Sequence, residues 1–418
     1  MTDKAADRHI SIDAVRGFAI LGILLMNIVG MGLPTFAYIN PTYAGGSEGA
    51  DLWTWAINNV LTDGKMRALF TMLFGASTAL IADRAEIGAG LGPAQTHYRR
   101  LFWMFVIGMI HAYFLWFGDI LVTYALAGIF IYPFRKLGGR LLIAIGAMIL
   151  LGLIGYHALD AAHLDALSAA ASAPGASATA VKAWQEASIA VAAPAGMAIQ
   201  EIKEFGGTFL SALHARTQVA MLMQLVLMPT DEIPEAIGQM FVGMGLFRLG
   251  FFTLGWSSRA YGAMAAVGYL IGAPITAWLA WQIWAGGFEP LTLHRLEVWQ
   301  AGPRPIIALA HASVLLLIVR AGALPRLMAR FAAAGRMAFS NYLMTSIITN
   351  LVFCGYGLGL YGKLSRFEQL GVVALVWAFI LIWSKPWLAR FQYGPFEWLW
   401  RSLVQWRPQP FLKRSAPA

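Results

Sequence analysis

The chain has 418 residues, 59% of them hydrophobic and only 12% charged, against about 25% charged residues in soluble domains. That balance excludes an ordinary water-soluble enzyme, and the single cysteine, Cys354, excludes an internal disulfide framework and a cysteine-based metal cluster. A net charge of +9 could suggest nucleic acid, but the basic residues sit in short loops beside apolar runs, which is how membrane orientation is encoded.

A mean hydropathy of +0.63 and apolar runs of roughly 15–24 residues predict an all-α, polytopic membrane protein, because only helices or closed barrels satisfy the backbone in lipid. In chain order, spans are expected near 14–33, 64–82, 100–117, 120–134, 140–157, 235–252, 260–284, 303–321, 337–358 and 367–384. Residues 1–12 are polar, and the first run is long enough to stay as an anchor rather than a cleaved signal. Arg84, Arg99 and Arg100; Arg135, Lys136 and Arg140; Arg248 and Arg259; Arg320, Arg326, Arg330 and Arg336; and Lys385, Arg390, Arg401, Arg407, Lys413 and Arg414 then fall on one side. With ten spans and both termini cytoplasmic, that side is the inside of a bacterial inner membrane. Glu48, Asp51, Asp63, Asp119, Asp160 and Asp165 fall in the opposite loops.

Three parts are expected. Residues 1–157 form an N-terminal membrane half of five spans, and 230–418 form a C-terminal half of five spans with an interfacial tail. Between them, 158–229 is an extracytoplasmic loop and amphipathic segment, Ala/Ser-rich with Pro174 and Pro194, then polar at Glu201, Lys203, Glu204, His214, Arg216, Gln218 and Gln224. Most of 201–229 is placed on the outer surface or tilted into the bundle, since a full crossing would turn Arg248 and Arg259 outward.

The candidate chemistry is carried by polar groups inside apolar spans, where a titratable side chain costs roughly 2.5–3.5 kcal/mol on insertion scales and usually faces the bundle interior or an aqueous cavity. In the first span, with Ser11 or Asp13 as a helix cap, Arg16 at the cytoplasmic edge and Asn27 about 16 Å deeper project from one face. A snorkelling anchor explains Arg16 as well, whereas a mid-span amide needs partners. Asp63, Lys65 and Arg67 open the second span, as a salt-bridged end or as an acceptor site at the outer mouth. His111, about 15 Å from the inner edge, lies at the depth of Asn27. Asp119 follows eight residues later, so contact with His111 requires the turn to fold back; otherwise Asp119 faces Lys65 or Arg67. A histidine held by a carboxylate is a general-base arrangement. The ninth span shows Asn341, Thr345 and Thr349, and beside them Tyr342, Ser346 and Asn350, at i, i+4 and i+8. Such a stripe is helix–helix glue or a cavity wall, with Arg336 at its entrance. The tail KPWLARFQYGPFEWLWRSLVQW reads as an interfacial helix with Glu397 and Arg401 paired. No metal spacing, P-loop, dinucleotide fingerprint or nucleophile elbow stands in a fitting context, and GMGLFRLG reads as packing glycines.

The segments RHISIDAVRGFAILGILLMNI, DGKMRALFTMLFGAS, GMIHAYFLWFGDILVTYAL, GRMAFSNYLMTSII and GPFEWLWR resemble, in order and over nearly the whole chain, the YeiB-like family, whose C-terminal half is the domain of unknown function 418. That family is similar to the transmembrane acyltransferases, which include acyltransferase-3 and heparan-α-glucosaminide N-acetyltransferase. The resemblance implies transfer of an acyl group from cytoplasmic acyl-CoA to an acceptor across the membrane. Arg16 matches the acyltransferase-3 arginine, while Asn27 stands where that family has histidine and the heparan enzyme has asparagine. The catalytic histidine of the heparan enzyme has no counterpart between Ile10 and Thr96.

The expectation is therefore a membrane acyltransferase. His111, Asn27 and Asp119 are its catalytic candidates. Arg16, Arg99, Arg100 and Arg336 would attract the phosphates of acyl-CoA. Asp63, Lys65, Arg67, Asn341, Tyr342 and Ser346 would stand on the substrate side. The partners expected are membrane lipid and a glycan, lipid or small-metabolite acceptor, with no metal and no nucleic acid. The alternatives are a transporter of a small polar or anionic solute and a non-catalytic partner in envelope assembly.

Overall fold

A computed structural model describes residues 2–87, 91–189, 191–193 and 196–413, with backbone only for 2–9 and 87. Pro194 and Arg414 lie outside the described residues. Helix α1 (Thr2–Gly32) is followed by a 3-10 turn (Thr35–Tyr38) and α2 (Gly49–Leu61). Helices α3 (Lys65–Ile87), α4 (Pro93–Phe114) and α5 (Leu121–Ile131) come next, then the long α6 (Gly139–Ser172) and the shorter α7 (Ala178–Ser188) and α8 (Met197–Phe205). Helix α9 (Phe209–Leu222) continues through a π-helical stretch (Met223–Glu232) into α10 (Ile233–Arg248). Likewise α11 (Ser258–Val267) passes through a π turn (Gly268–Gly272) into α12 (Ala273–Ala285). The order ends with α13 (Pro290–Gln300), α14 (Pro303–Arg320), α15 (Pro325–Arg336), α16 (Ala338–Phe353), α17 (Arg366–Arg390) and α18 (Pro395–Gln405). Among the described residues there is no sheet, only an isolated bridge between Phe391 and Leu412.

Helix starts follow their local sequence. Ser177, Thr208 and Ser257 cap α7, α9 and α11 through their side-chain oxygens, and Ser365 with Glu368 forms a full capping box on α17. Every expected span falls on helix, but the described residues hold six helices long and apolar enough to cross a membrane: Ile10–Gly32, Gly49–Glu86, Gly139–Ser172, Ser258–Ala285, Pro303–Arg320 and Arg366–Arg390. The expected spans on α4, α5, α10 and α16 fall short of that measure. Helix α4 carries arginines and histidines, and the 16 residues of α16 reach only about 24 Å at ~1.5 Å per residue.

Glycines set the closest helix crossings. A Cβ on Gly75 of α3 would sit 2.1 Å from the Met240 carbonyl oxygen, and one on Gly243 of α10 would sit 1.9 Å from that of Met72. The crossing of α1 with α15 is equally tight: added Cβ atoms at Gly17 and Gly335 would each fall 1.9 Å from a carbonyl oxygen, of Phe331 and Asp13. No other residue permits backbones so near. Helix α10 thereby packs between α3 and α6, and α1 against α15, so the two halves of the chain interlock in one core.

The two ends of the bundle carry different ion pairs. At one end Arg248 pairs with Asp83 at 2.9 Å and donates to the Arg135 carbonyl, while Lys136 meets Glu86 at 3.1 Å. At the other, Arg67 pairs with Glu235 at 2.7 Å, His157 with Asp231 at 3.0 Å and Arg295 with Asp165 at 2.6 Å.

At four places the structure decides what the sequence left open or overturns it. Ser11 does not cap α1, which begins nine residues earlier at Thr2; its hydroxyl donates to the Phe252 carbonyl at 2.9 Å. Asp119, expected at the outer tip of the hairpin, is 3% exposed and lies at the α4–α5 corner. Of the two placements expected for 201–229, Arg216 follows the tilt into the bundle: it is 1% exposed and reaches into the core. Glu397 and Arg401 do not pair. Glu397 turns to the start of α16, and Arg401 lies over the Tyr393 ring at 4.5 Å.

Candidate functional site

The α4–α5 corner and the polar stripe of α16 meet in the interior. Helix α4 ends at Phe114, and the chain reverses through Trp116–Asp119 before α5 starts. This reversal brings His111 and Asp119 together despite their eight-residue separation: His111 Nδ1 lies 2.7 Å from Asp119 Oδ1, both side chains 1% exposed. The ring N–H does not point squarely along that line. The other ring nitrogen, Nε2, lies 2.8 Å from Ser346 Oγ. Asp119 also accepts from the Val122 N–H at 2.8 Å and the Tyr342 hydroxyl at 3.4 Å, and Tyr342 in turn accepts from the Ile120 N–H at 3.2 Å. The Tyr342 and His111 rings are 4.9 Å apart.

The i, i+4, i+8 register of Tyr342, Ser346 and Asn350 is what allows this. Each engages a successive level of the corner, Tyr342 with Asp119 and Ile120, Ser346 with His111, and Asn350 with the Leu115 carbonyl at 2.8 Å. Arg216 closes the layer by donating to Asn350 Oδ1 at 2.8 Å and to the Phe114 carbonyl at 3.0 Å. The parallel row behaves differently. Asn341 is fully engaged: it donates to Ala334 O and Ser384 and accepts from Trp383. Thr345 and Thr349 bond back to the carbonyls of Asn341 and Thr345. One row docks the corner; the other holds α16 to α15 and α17 or satisfies itself.

Chemically, a serine hydroxyl hydrogen-bonds an imidazole whose other nitrogen lies within 2.7 Å of a carboxylate oxygen. The carboxylate can steady the ring and its cationic form, and the ring can take the hydroxyl proton. Ser346 is 0% exposed, so the chain is closed in this conformation.

The remaining expected residues are dispersed. Asn27 is 8% exposed; no hydrogen bond joins its amide to His111. It lies on the α1 face of Ile23 and Gly30, toward Trp116, whose indole donates to the Gly30 carbonyl at 3.4 Å. Arg16 is held by Asp13 at 2.8 Å and donates to Ser77 Oγ at 3.1 Å. Arg100 lies over the Trp400 ring at 4.1 Å, Arg99 over Trp406 at 5.9 Å, and Arg336 is exposed. At the far end Asp63 accepts from the Tyr38 hydroxyl at 2.9 Å, the buried Lys65 ammonium donates to the Asn59 carbonyl, and Arg67 pairs with Glu235. Sequence reasoning missed Glu235, although it lies two residues past Ile233, where a π-helical stretch containing Pro229 ends. It also missed Glu201, which accepts from Thr35 and Tyr361 and whose carboxyl burial pushes above the usual range.

Apolar membrane-length helices around a sealed serine–histidine–carboxylate chain define a class: a helical membrane protein with a buried polar centre. The comparisons narrow it further. A family model described as "Protein of unknown function (DUF418)" matches residues 246–407. "Uncharacterized protein YeiB" of Escherichia coli (strain K12) is 31% identical over 98% of this chain and 100% of its own length. "Uncharacterized protein YxaH" of Bacillus subtilis (strain 168) is 28% identical over 97% of this chain and 96% of its own. No solved structure matches. The chain belongs to the YeiB-like family, with the domain of unknown function 418 in its C-terminal half.

Proposed function

We propose that the protein is an inner-membrane acyltransferase whose reacting centre is the Ser346–His111–Asp119 chain. The observation that supports this reading is His111 set between a carboxylate at 2.7 Å and a hydroxyl at 2.8 Å, inside a membrane core where such groups are costly to keep. Ser346 Oγ attacks the thioester carbonyl of cytoplasmic acyl-CoA while His111 Nε2 takes its proton. The carbon–sulfur bond breaks, and the leaving thiolate takes that proton from His111. An acceptor hydroxyl or amine then attacks the Ser346 ester, passing its proton to His111, and Ser346 recovers a proton as it leaves. Asn27 supplies a hydrogen bond to the carbonyl oxygen as charge develops there. Arg16, Arg99, Arg100 and Arg336 receive the coenzyme phosphates, and Asp63, Lys65 and Arg67 stand at the acceptor end. Entry requires the Trp116–Phe117 turn to swing away. Incubation of the purified protein with radiolabelled acetyl-CoA tests it: the wild type should become labelled and Ser346→Ala should not. Equal labelling of both, or of neither, rejects the reading.

A second reading rests on a different observation. The π-helical stretch Met223–Glu232 interrupts a continuous helix beside Arg67 and Glu235, and broken helices flanked by charge are how transporters build solute sites. Uptake by proteoliposomes with no need for coenzyme A would favour it.

A further inference from the structure

A second pocket, sharing Asp63 with the proposed acceptor end, opens on the opposite face of α1. Leu25 and Val29 wall it from α1, Trp55 and Asn59 from α2, Glu297 from α13 and Arg366 from α17, around a small cavity of about 40 Å³. Asn27 and the Ser346–His111 contact lie on the other side of α1. The pocket is rich in acceptors. Asn59 is 5% exposed, and its side-chain oxygen has no partner. Asp63, also in the lining, spends one oxygen on Tyr38. Glu297 contributes a carboxyl that no hydrogen bond or ion pair among the described residues engages, with the Arg304 guanidinium acting on it from outside the lining. Arg366 is the cation in the lining, its guanidinium drawn to the backbone carbonyls of Ala37 and Ala44.

We infer that this pocket binds a small primary ammonium compound carrying a short apolar body. An ammonium has three N–H donors and no acceptor, which matches the oxygens of Asn59, Asp63 and Glu297. The Trp55 and Tyr38 rings suit a cation, and the α1 wall takes the alkyl part. A carboxylate ligand would face two carboxylates and a lone amide oxygen, with the Nε of Arg366 its one unpaired donor within the lining. The inference is independent of acyl transfer.

Saturation-transfer NMR on the full-length protein in detergent micelles tests it with n-butylammonium, butanol and butyrate. Transfer to butylammonium at millimolar concentration is expected, with butanol and butyrate silent. Binding should weaken at least about tenfold in Glu297→Gln, the fold-change for losing a charged hydrogen bond worth roughly 1.5–3 kcal/mol. Asn59→Ala, with retained secondary structure checked by circular dichroism, should weaken it too. Butyrate binding as well as butylammonium, no binding by any probe, or butylammonium binding unchanged in Glu297→Gln overturns the assignment.

Discussion

At the residue scale, His111 and Asp119 depend on each other. Removing the ring by His111→Ala leaves the Asp119 carboxylate buried with only the Val122 amide and the Tyr342 hydroxyl, a loss of about 3–5 kcal/mol for a broken buried pair. Chemical denaturation in detergent should show it. Asp119→Asn keeps the shape but removes the charge that steadies the ring; if His111 is the base, labelling should fall about 10²–10⁴-fold while the folded yield is retained. A third prediction concerns Glu297, outside the spans, whose carboxyl is pushed up by burial to about 7. Because the folded state holds this proton more tightly than the unfolded chain, folding stability is fullest below the ordinary carboxylate range and declines as pH rises toward 7. Melting temperature should drop between pH 5 and 8, and Glu297→Gln should flatten that drop. The sequence made His111, Asp119 and the α16 rows visible as polar groups in apolar runs. It did not reveal the contact between them, which depends on how sharply Trp116–Gly118 reverses, a tertiary outcome with no local periodicity to announce it.

At the scale of elements, pattern and structure agree where a single helix decides and part where two helices decide. Each expected span lies on helix because apolar runs bounded by loop residues have no alternative in lipid. The glycines of GMGLFRLG are packing glycines as read, yet nothing in the sequence says that Gly243 meets α3 while Gly245 meets α6. Gly243→Val should overpack a backbone contact that cannot yield, costing at least about 1–3 kcal/mol, and should lower the thermal midpoint of the purified protein more than Gly152→Val, where an added Cβ meets nothing within 4 Å. The π-helical stretch was likewise invisible: Pro229 hints at a break, but the wider turns arise from how α9 and α10 are seated.

At the scale of the whole molecule, the two ends carry different ion-pair sets, which suits the cytoplasmic placement proposed for the arginine-rich end. With Cys354 replaced by alanine, a cysteine at the exposed Ala323 should react with a membrane-impermeant maleimide only from the cytoplasmic side, and one at the exposed Ala173 only from the outside. Labelling of both from one side would refute the ten-span arrangement. Composition and charge bias were enough to propose that topology; the interlocking of the halves through α10 and α1 was beyond them, because it depends on contacts between residues hundreds apart.

The tail braces two distant helices at once. Glu397 accepts from the Phe339 and Ser340 amides at the opening of α16, 58 residues earlier, and Trp400 donates to the Arg100 carbonyl at the base of α4 at 3.1 Å. The helix bearing Ser346 and the helix bearing His111 are therefore tied to one short amphipathic helix. Pulling α18 away would release both sides of the Ser346–His111 contact at once, so a brace at the edge of the bundle governs a register deep inside it.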